Sequence, residues 1–192
     1  NASTTNTTVL ETLNLSNVAA GATVTVADSA AALALNLEKV GTTATAAAVT
    51  ITTAPATLNV KSTGANNVNL TSALTEALNV SGTGVLNAGT ASLGALKSVK
   101  VTETAGLTLA AGTAATVTSI DTTGTTGTVT ASINGQTATY AGGAGVDNVT
   151  LTTTAPTKSI ATGAGNDKVT LAFSTTAMGA NGTIAGGDGT DT

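Results

Sequence analysis

The chain has 192 residues, with 10 acidic side chains against 6 lysines, no Arg, no His and no Cys, for a net charge of −4. Those absences exclude a His-based triad, an H-E-x-x-H zinc site, a thiol nucleophile and any disulfide. Without a basic patch, nucleic acid is not an expected partner, and no run approaches the roughly 20 apolar residues of a membrane helix, so no membrane insertion is expected.

The core must be of an unusual kind. Hydrophobic residues make up 41% of the chain, yet it holds one Tyr, one Phe and no Trp. That content with few charges argues against disorder. Small residues with regularly placed Val and Leu suit a stacked solenoid, whose narrow interior takes side chains in rows.

Taken in order, the chain repeats with a period of about 20 residues. Leu13-Asn14-Leu15 opens a row of predicted strands, followed by Leu35-Asn36-Leu37, Leu58-Asn59-Val60, Leu78-Asn79-Val80 and Val99-Lys100-Val101. Ile120, Tyr140, Ile160 and Ile184 continue it, with steps of 22, 23, 20, 21, 21, 20, 20 and 24 residues. A second row lies out of phase. It runs through Val24-Thr25-Val26, Val49-Thr50-Ile51, Val68-Asn69-Leu70, Leu107-Thr108-Leu109, Val149-Thr150-Leu151 and Val169-Thr170-Leu171. Val85-Leu86 and Val129-Thr130-Ala131 fill it less cleanly. Each triplet alternates apolar and polar, which points two side chains inward and one outward from a strand.

Two strands per coil and about nine coils predict an all-β parallel β-solenoid (β-helix or β-roll), a rod on the order of 40 Å long at the usual strand spacing. No coil buries its apolar pair alone, so stacking is required. Residues 28–39 carry helix formers behind Asp28, and 71–78 and 91–97 are similar. These segments read as corners in which a helical turn fits. Pro55 and Pro156 fall in proposed turns. Glu76 and Glu103 read as solvated surface carboxylates.

The C-terminal quarter changes character. Gly142-Gly143-Ala144-Gly145-Val146-Asp147 fits G-G-x-G-x-D. Thr162-Gly163-Ala164-Gly165-Asn166-Asp167 repeats it 20 residues later, and Gly186-Gly187-Asp188-Gly189-Thr190-Asp191 returns it after a further 24. Each copy follows a member of the first strand row: Tyr140, Ile160 or Ile184. Glycine permits backbone angles that turn carbonyl oxygens inward. The aspartate adds an anionic oxygen. Calcium takes six to eight oxygens in a tolerant geometry, and such turns supply them. The metal candidates are therefore Gly142, Gly143, Ala144, Gly145 and Asp147, then Thr162, Gly163, Ala164, Gly165 and Asp167, then Gly186, Gly187, Asp188, Gly189 and Asp191. Asp188 and Asp191 read as ligands rather than an acid–base pair. Stacked pairs of turns predict two ions. No residue set for catalysis or for an organic cofactor is found, so the chain is not expected to be an enzyme.

At these turns the sequence resembles the RTX (repeats-in-toxin) family, and is similar in style to bacterial surface-layer proteins of the Caulobacter type. The resemblance rests on the three Gly-Asp strings over about the last 50 residues. Before them it rests on Ala/Thr-rich Leu-Asn-Val-Ser composition. It implies calcium-driven folding outside the cell, type I secretion, a cell-surface location and self-association into a lattice. Thr162 departs from the family's Gly, and only one edge of the coil carries motifs. The family also includes adhesins and secreted enzymes with calcium-binding stalks, so a segment of either remains an alternative. The division expected is residues 1–139 as Thr/Ala/Asn-rich solenoid coils and 140–192 as calcium-binding β-roll coils continuous with them. With no Met at residue 1 and a last motif that runs to the end, the chain reads as a fragment of a longer protein.

Overall fold

Alternation of apolar and polar residues decides the architecture. A computed structural model describes residues 9–53, 55–89, 91–109, 116–171 and 178–192. Phe173 lies outside the described residues. Every regular element described is a strand. The first sheet holds β1 (Leu10–Ser16), β3 (Ser29–Glu38), β5 (Thr57–Thr63), β7 (Ala77–Gly82), β9 (Ser98–Glu103), β11 (Ser119–Thr125), β13 (Thr139–Ala141), β15 (Ser159–Ala161) and β17 (Thr183–Ala185). The second holds β2 (Thr23–Val26), β4 (Ala47–Ile51), β6 (Asn66–Ser72), β8 (Val85–Ala88), β10 (Gly106–Leu109), β12 (Val129–Ile133), β14 (Asp147–Leu151) and β16 (Lys168–Leu171). All pairings are parallel and follow chain order within each sheet. The result is a parallel β-solenoid of about eight turns, with roughly 21 residues per turn.

The core is two sets of ladders facing each other. In the first sheet Leu33, Leu58, Leu78, Val99, Ile120, Tyr140, Ile160 and Ile184 stand in register. All but Ile184, on the last coil, are buried. In the second sheet Ala88, Leu109, Ala131, Val149 and Val169 form one row. Each fully buried leucine contributes about 1.5–3 kcal/mol relative to exposure. On the outer faces, amides stack from coil to coil. Asn36 donates to Asn14 at 2.7 Å, Asn79 to Asn59 at 2.8 Å and Asn87 to Asn67 at 3.0 Å.

Three details differ from the sequence reading. The Asp28 segment is not a corner with a helical turn, because residues 29–38 are the ten-residue strand β3. Leu33, Leu35 and Leu37 alternate inward along it, and pairing with β1 and β5 on both sides outweighs the helix propensity of alanine. Residues 71–72 end β6 and 77–78 open β7 with a non-helical turn between them, and 91–97 hold a second such turn, with Thr71 bridging to Ser92. Finally, Leu35 pairs with Val60, not Leu58. A two-residue slip keeps every side chain on its own face, so the pattern alone does not fix it.

The first sheet runs through residues 139–140 without interruption, since β13 pairs with both β11 and β15. The Gly-Asp turns therefore sit on coils continuous with the rest. Glu76 is exposed and bonds Lys97 at 2.6 Å, and Glu103 accepts the Gly82 N–H at 2.9 Å. Among the described residues, no helix is long and apolar enough to cross a membrane.

Candidate metal centre

The three Gly-Asp turns lie on one edge, where the chain passes from the first sheet to the second. Ala141, Ala161 and Ala185 are in register, so the residues that follow them, Gly142, Thr162 and Gly186, stack too. Ladder bonds run between the turns. Ala164 N–H donates to Gly143 O at 2.8 Å, and Asp188 N–H donates to Gly163 O at 2.9 Å. At Gly165 the backbone takes φ +144, and a methyl there would come within 2.6 Å of Gly145 O and 2.9 Å of Asp167 Oδ1. Only glycine fits that approach. A methyl on Gly163 would likewise meet the carbonyl oxygens of Gly142 and Gly143. Oxygen-rich walls thus face each other across the gap between turns.

The sixth-position aspartates form a ladder of their own. Val129 pairs with Asp147 in the second sheet. The apolar column of Leu86, Leu107 and Val129 therefore continues as Asp147. Asp147 N–H donates to Asp167 Oδ1 at 2.9 Å, and Asp167 N–H donates to Asp191 Oδ1 at 3.0 Å. Asp147 is 1% exposed and Asp167 2%. The Oδ2 atoms of both are buried and have no hydrogen-bond partner. A buried polar atom without a partner is costly, and two such carboxylate oxygens one coil apart form a concentrated negative charge.

Thr162 fills its position without strain. It is fully buried, and its hydroxyl donates to Gly186 O at 2.8 Å. Thr122, one residue past Asp121 in the same stack, acts similarly on an earlier coil, donating to Ala141 O at 3.2 Å, with the Tyr140 hydroxyl 3.4 Å from its own oxygen. Tyr140 is buried against this group, and burial first, then the Asp147 charge, pushes its hydroxyl well above the ordinary tyrosine range. Burial likewise pushes Asp147 up to about 7. The Asp167 charge adds to that rise, while the Tyr140 hydroxyl and the Gly143 N–H oppose it.

The structure brings the candidates together unevenly. Asp147, Asp167 and Asp191 share one column. Asp188 does not join it. Asp188 sits opposite Ala164 with its side chain exposed, and only its backbone takes part, through its N–H and through the carbonyl that accepts from Gly165 at 2.8 Å. Ala144 donates its N–H to Thr125 O at 3.2 Å and so ties the first turn to the coil before it. At the last coil, a groove of about 240 Å³ is lined by Thr162, Asp167, Gly186 and Asp191. Sequence reading overlooked the interior hydroxyls of Thr122 and Tyr140. Their signal was register, since Thr122 holds the place that Gly142, Thr162 and Gly186 hold on later coils.

Among the described residues, no three carboxylate, imidazole or thiol side chains converge on a point. The donor set is instead one carboxylate per turn with backbone carbonyls. It fits a hard cation because two of its buried carboxylate oxygens, Asp147 Oδ2 and Asp167 Oδ2, lack a donor and the carbonyls beside them add neutral oxygens. Among known proteins, the chain matches no family model, no curated protein and no solved structure.

Proposed function

We propose that this chain is a structural, calcium-binding segment of a secreted surface-layer protein, in which calcium drives folding of the C-terminal coils and self-association covers the cell. The observation that carries the calcium reading is the pair of buried, partnerless oxygens, Asp147 Oδ2 and Asp167 Oδ2. They lie on the edge where the glycine carbonyls stack. Bound calcium would supply positive charge to these oxygens. Asp147, Asp167 and Asp191 would hold it, with carbonyls of Gly142, Gly143, Gly145, Thr162, Gly163 and Gly165. A carbonyl-rich, flexible set favours calcium over magnesium, which demands a tight octahedron and keeps its waters. Affinity in the range of extracellular modules, on the order of 10⁻⁴ to 10⁻³ M, suits folding outside the cell.

The self-association part is supported by the outer faces, which carry neutral amide rows stacked from coil to coil. Calorimetry tests the first part, and two ions per chain are expected. Light scattering across the same titration tests the second. Absence of calcium heat would overturn the metal reading. A monomer at saturating calcium would overturn the lattice reading.

A further inference from the structure

The aspartate column contains an asparagine on an earlier coil. Asn66 pairs with Leu86 in the second sheet, and Leu107, Val129 and Asp147 follow Leu86 in register. Asn66 opens β6 just after the turn that leads from the first sheet to the second, as Asp147 opens β14. It is buried as deeply as Asp147.

Asn66 also makes the bond that the later aspartates make. Its Oδ1 accepts the N–H of Val40, on the coil below, at 2.9 Å. Oδ1 of Asp167 accepts the Asp147 N–H at 2.9 Å, and Oδ1 of Asp191 accepts the Asp167 N–H at 3.0 Å. Asparagine and aspartate have nearly the same shape, so the comparison comes down to the second terminal atom. In Asp167 that atom is an oxygen, buried without a partner. In Asn66 it is Nδ2, and four oxygens surround it. They are Ser62 Oγ at 2.9 Å, Thr63 O at 3.2 Å, Leu37 O at 3.3 Å and Gly64 O at 3.4 Å. The amide has two hydrogens to share among them. Neutral oxygens drawn from two coils around one electropositive centre are also what a hard cation takes.

We propose that the Asn66 amide stands in for a cation in its turn, so that the coils around it fold without an ion, whereas the aspartate turns must recruit one. The comparison rests on the calcium reading of those later turns. Its consequence is a latent metal site at residues 62–66. Asn66→Asp keeps the side-chain shape and the Oδ1 bond to Val40. It replaces the one donor in the nest by a charged oxygen, which makes the turn chemically like that of Asp167. A buried charge among oxygens is costly unless it is paired, and a divalent cation pairs it.

Hydrogen exchange of the full chain at pH 8, in chelator and in calcium, tests this, with calorimetry to count ions. The pH is kept high because a protonated carboxyl at position 66 would donate a hydrogen as the amide does. In the parent, β3 to β6 should be protected alike in both conditions. In Asn66→Asp they should lose protection in chelator and regain it in calcium on the order of 10⁻⁴ to 10⁻³ M, with one more ion bound than in the parent. Asn66→Leu puts the neighbouring Leu86 side chain at position 66 and should lose protection in both conditions alike, since it offers no carboxylate. Asn66→Asp that is as well protected in chelator as the parent would overturn the proposal. So would Asn66→Asp that calcium does not restore, and so would equal rescue of Asn66→Leu. If the parent binds its two ions and Asn66→Asp binds no more, this proposal fails and the calcium reading stands. If Asn66→Asp binds calcium and the parent does not, the reading of residues 142–191 fails and the latent site stands.

Discussion

The backbone N–H of Asp147 donates to Oδ1 of Asp167 at 2.9 Å, one coil up the stack. The same bond recurs from Asp167 to Asp191 at 3.0 Å. Asp167 therefore does two jobs. Its Oδ1 pins the strand below, and its Oδ2, like that of Asp147, is left buried without a partner. Asp167 is the middle member. Asp167→Ala removes a carboxylate from both gaps and leaves the Asp147 N–H unpaired, at a cost of about 1–3 kcal/mol. Asp147→Ala removes a carboxylate from the lower end only. Calorimetry should show Asp167→Ala losing both calcium sites and Asp147→Ala losing mainly one. Equal losses would contradict the stacked-turn arrangement.

Asp147 also makes the calcium-free protein sensitive to pH. Burial pushes its carboxyl up to about 7 from an ordinary 3.8. Between those values the folded protein holds a proton that the unfolded chain has lost. Stability from this group therefore falls as pH rises from about 4 to about 7, and levels off above. Urea unfolding in chelator at pH 5 and pH 8 measures it. The C-terminal coils should be weaker at pH 8, and Asp147→Asn should remove that part of the slope. A parent and variant with the same slope would show that Asp147 is ionised throughout.

In the apolar ladders the expected response is local. Leu78 is fully buried between Leu58 and Val99. Leu78→Ala leaves a cavity in one coil and should cost about 2–5 kcal/mol. A solenoid passes stability between nearest neighbours. Hydrogen exchange should therefore rise first in β5, β7 and β9. A loss of protection spread evenly over all coils would mean that the stack unfolds as one unit.

Much of this was legible in the sequence because a parallel solenoid writes its register as a repeat. Of the eight steps in the first strand row, only the one from Leu35 differs, by two residues. Alternation has period two, and so it specifies the face but not a shift of two. The alanines of β3 carried the opposite signal. Their helix propensity is local, whereas the pairing that overrules it comes from residues more than twenty positions away. The aspartates were legible as a spacing, and their burial was not. Asp147 occupies a core position opposite Val129, which a reading of 142–147 as a surface turn does not convey. Thr162 was legible only as a departure. Its use appears when its hydroxyl is found on Gly186 O of the next coil.

Calcium should matter unevenly along the rod. The first-sheet strands β3 and β5 have ten and seven residues, while β13, β15 and β17 have three each. The longer strands carry two inward residues or more, with Leu33, Leu35, Leu37, Leu58 and Val60 all buried. The shorter ones carry a single inward residue, and the glycine turns beside them lose much conformational entropy on ordering. Between Asp147 and Asp167 there is also charge repulsion that only a cation or a proton relieves. Few apolar contacts offset these costs in residues 142–191, so the ion must contribute. Hydrogen exchange with calcium and with chelator provides the comparison. In chelator, β14 to β17 should lose protection while β3 to β10 keep theirs. Calcium should restore the C-terminal strands at concentrations near the dissociation constant. Asp167→Ala in saturating calcium should resemble the parent in chelator over those same strands. Protection that is uniform along the rod and indifferent to calcium would mean that the C-terminal coils hold themselves together, and that the aspartate column has some role other than binding the ion.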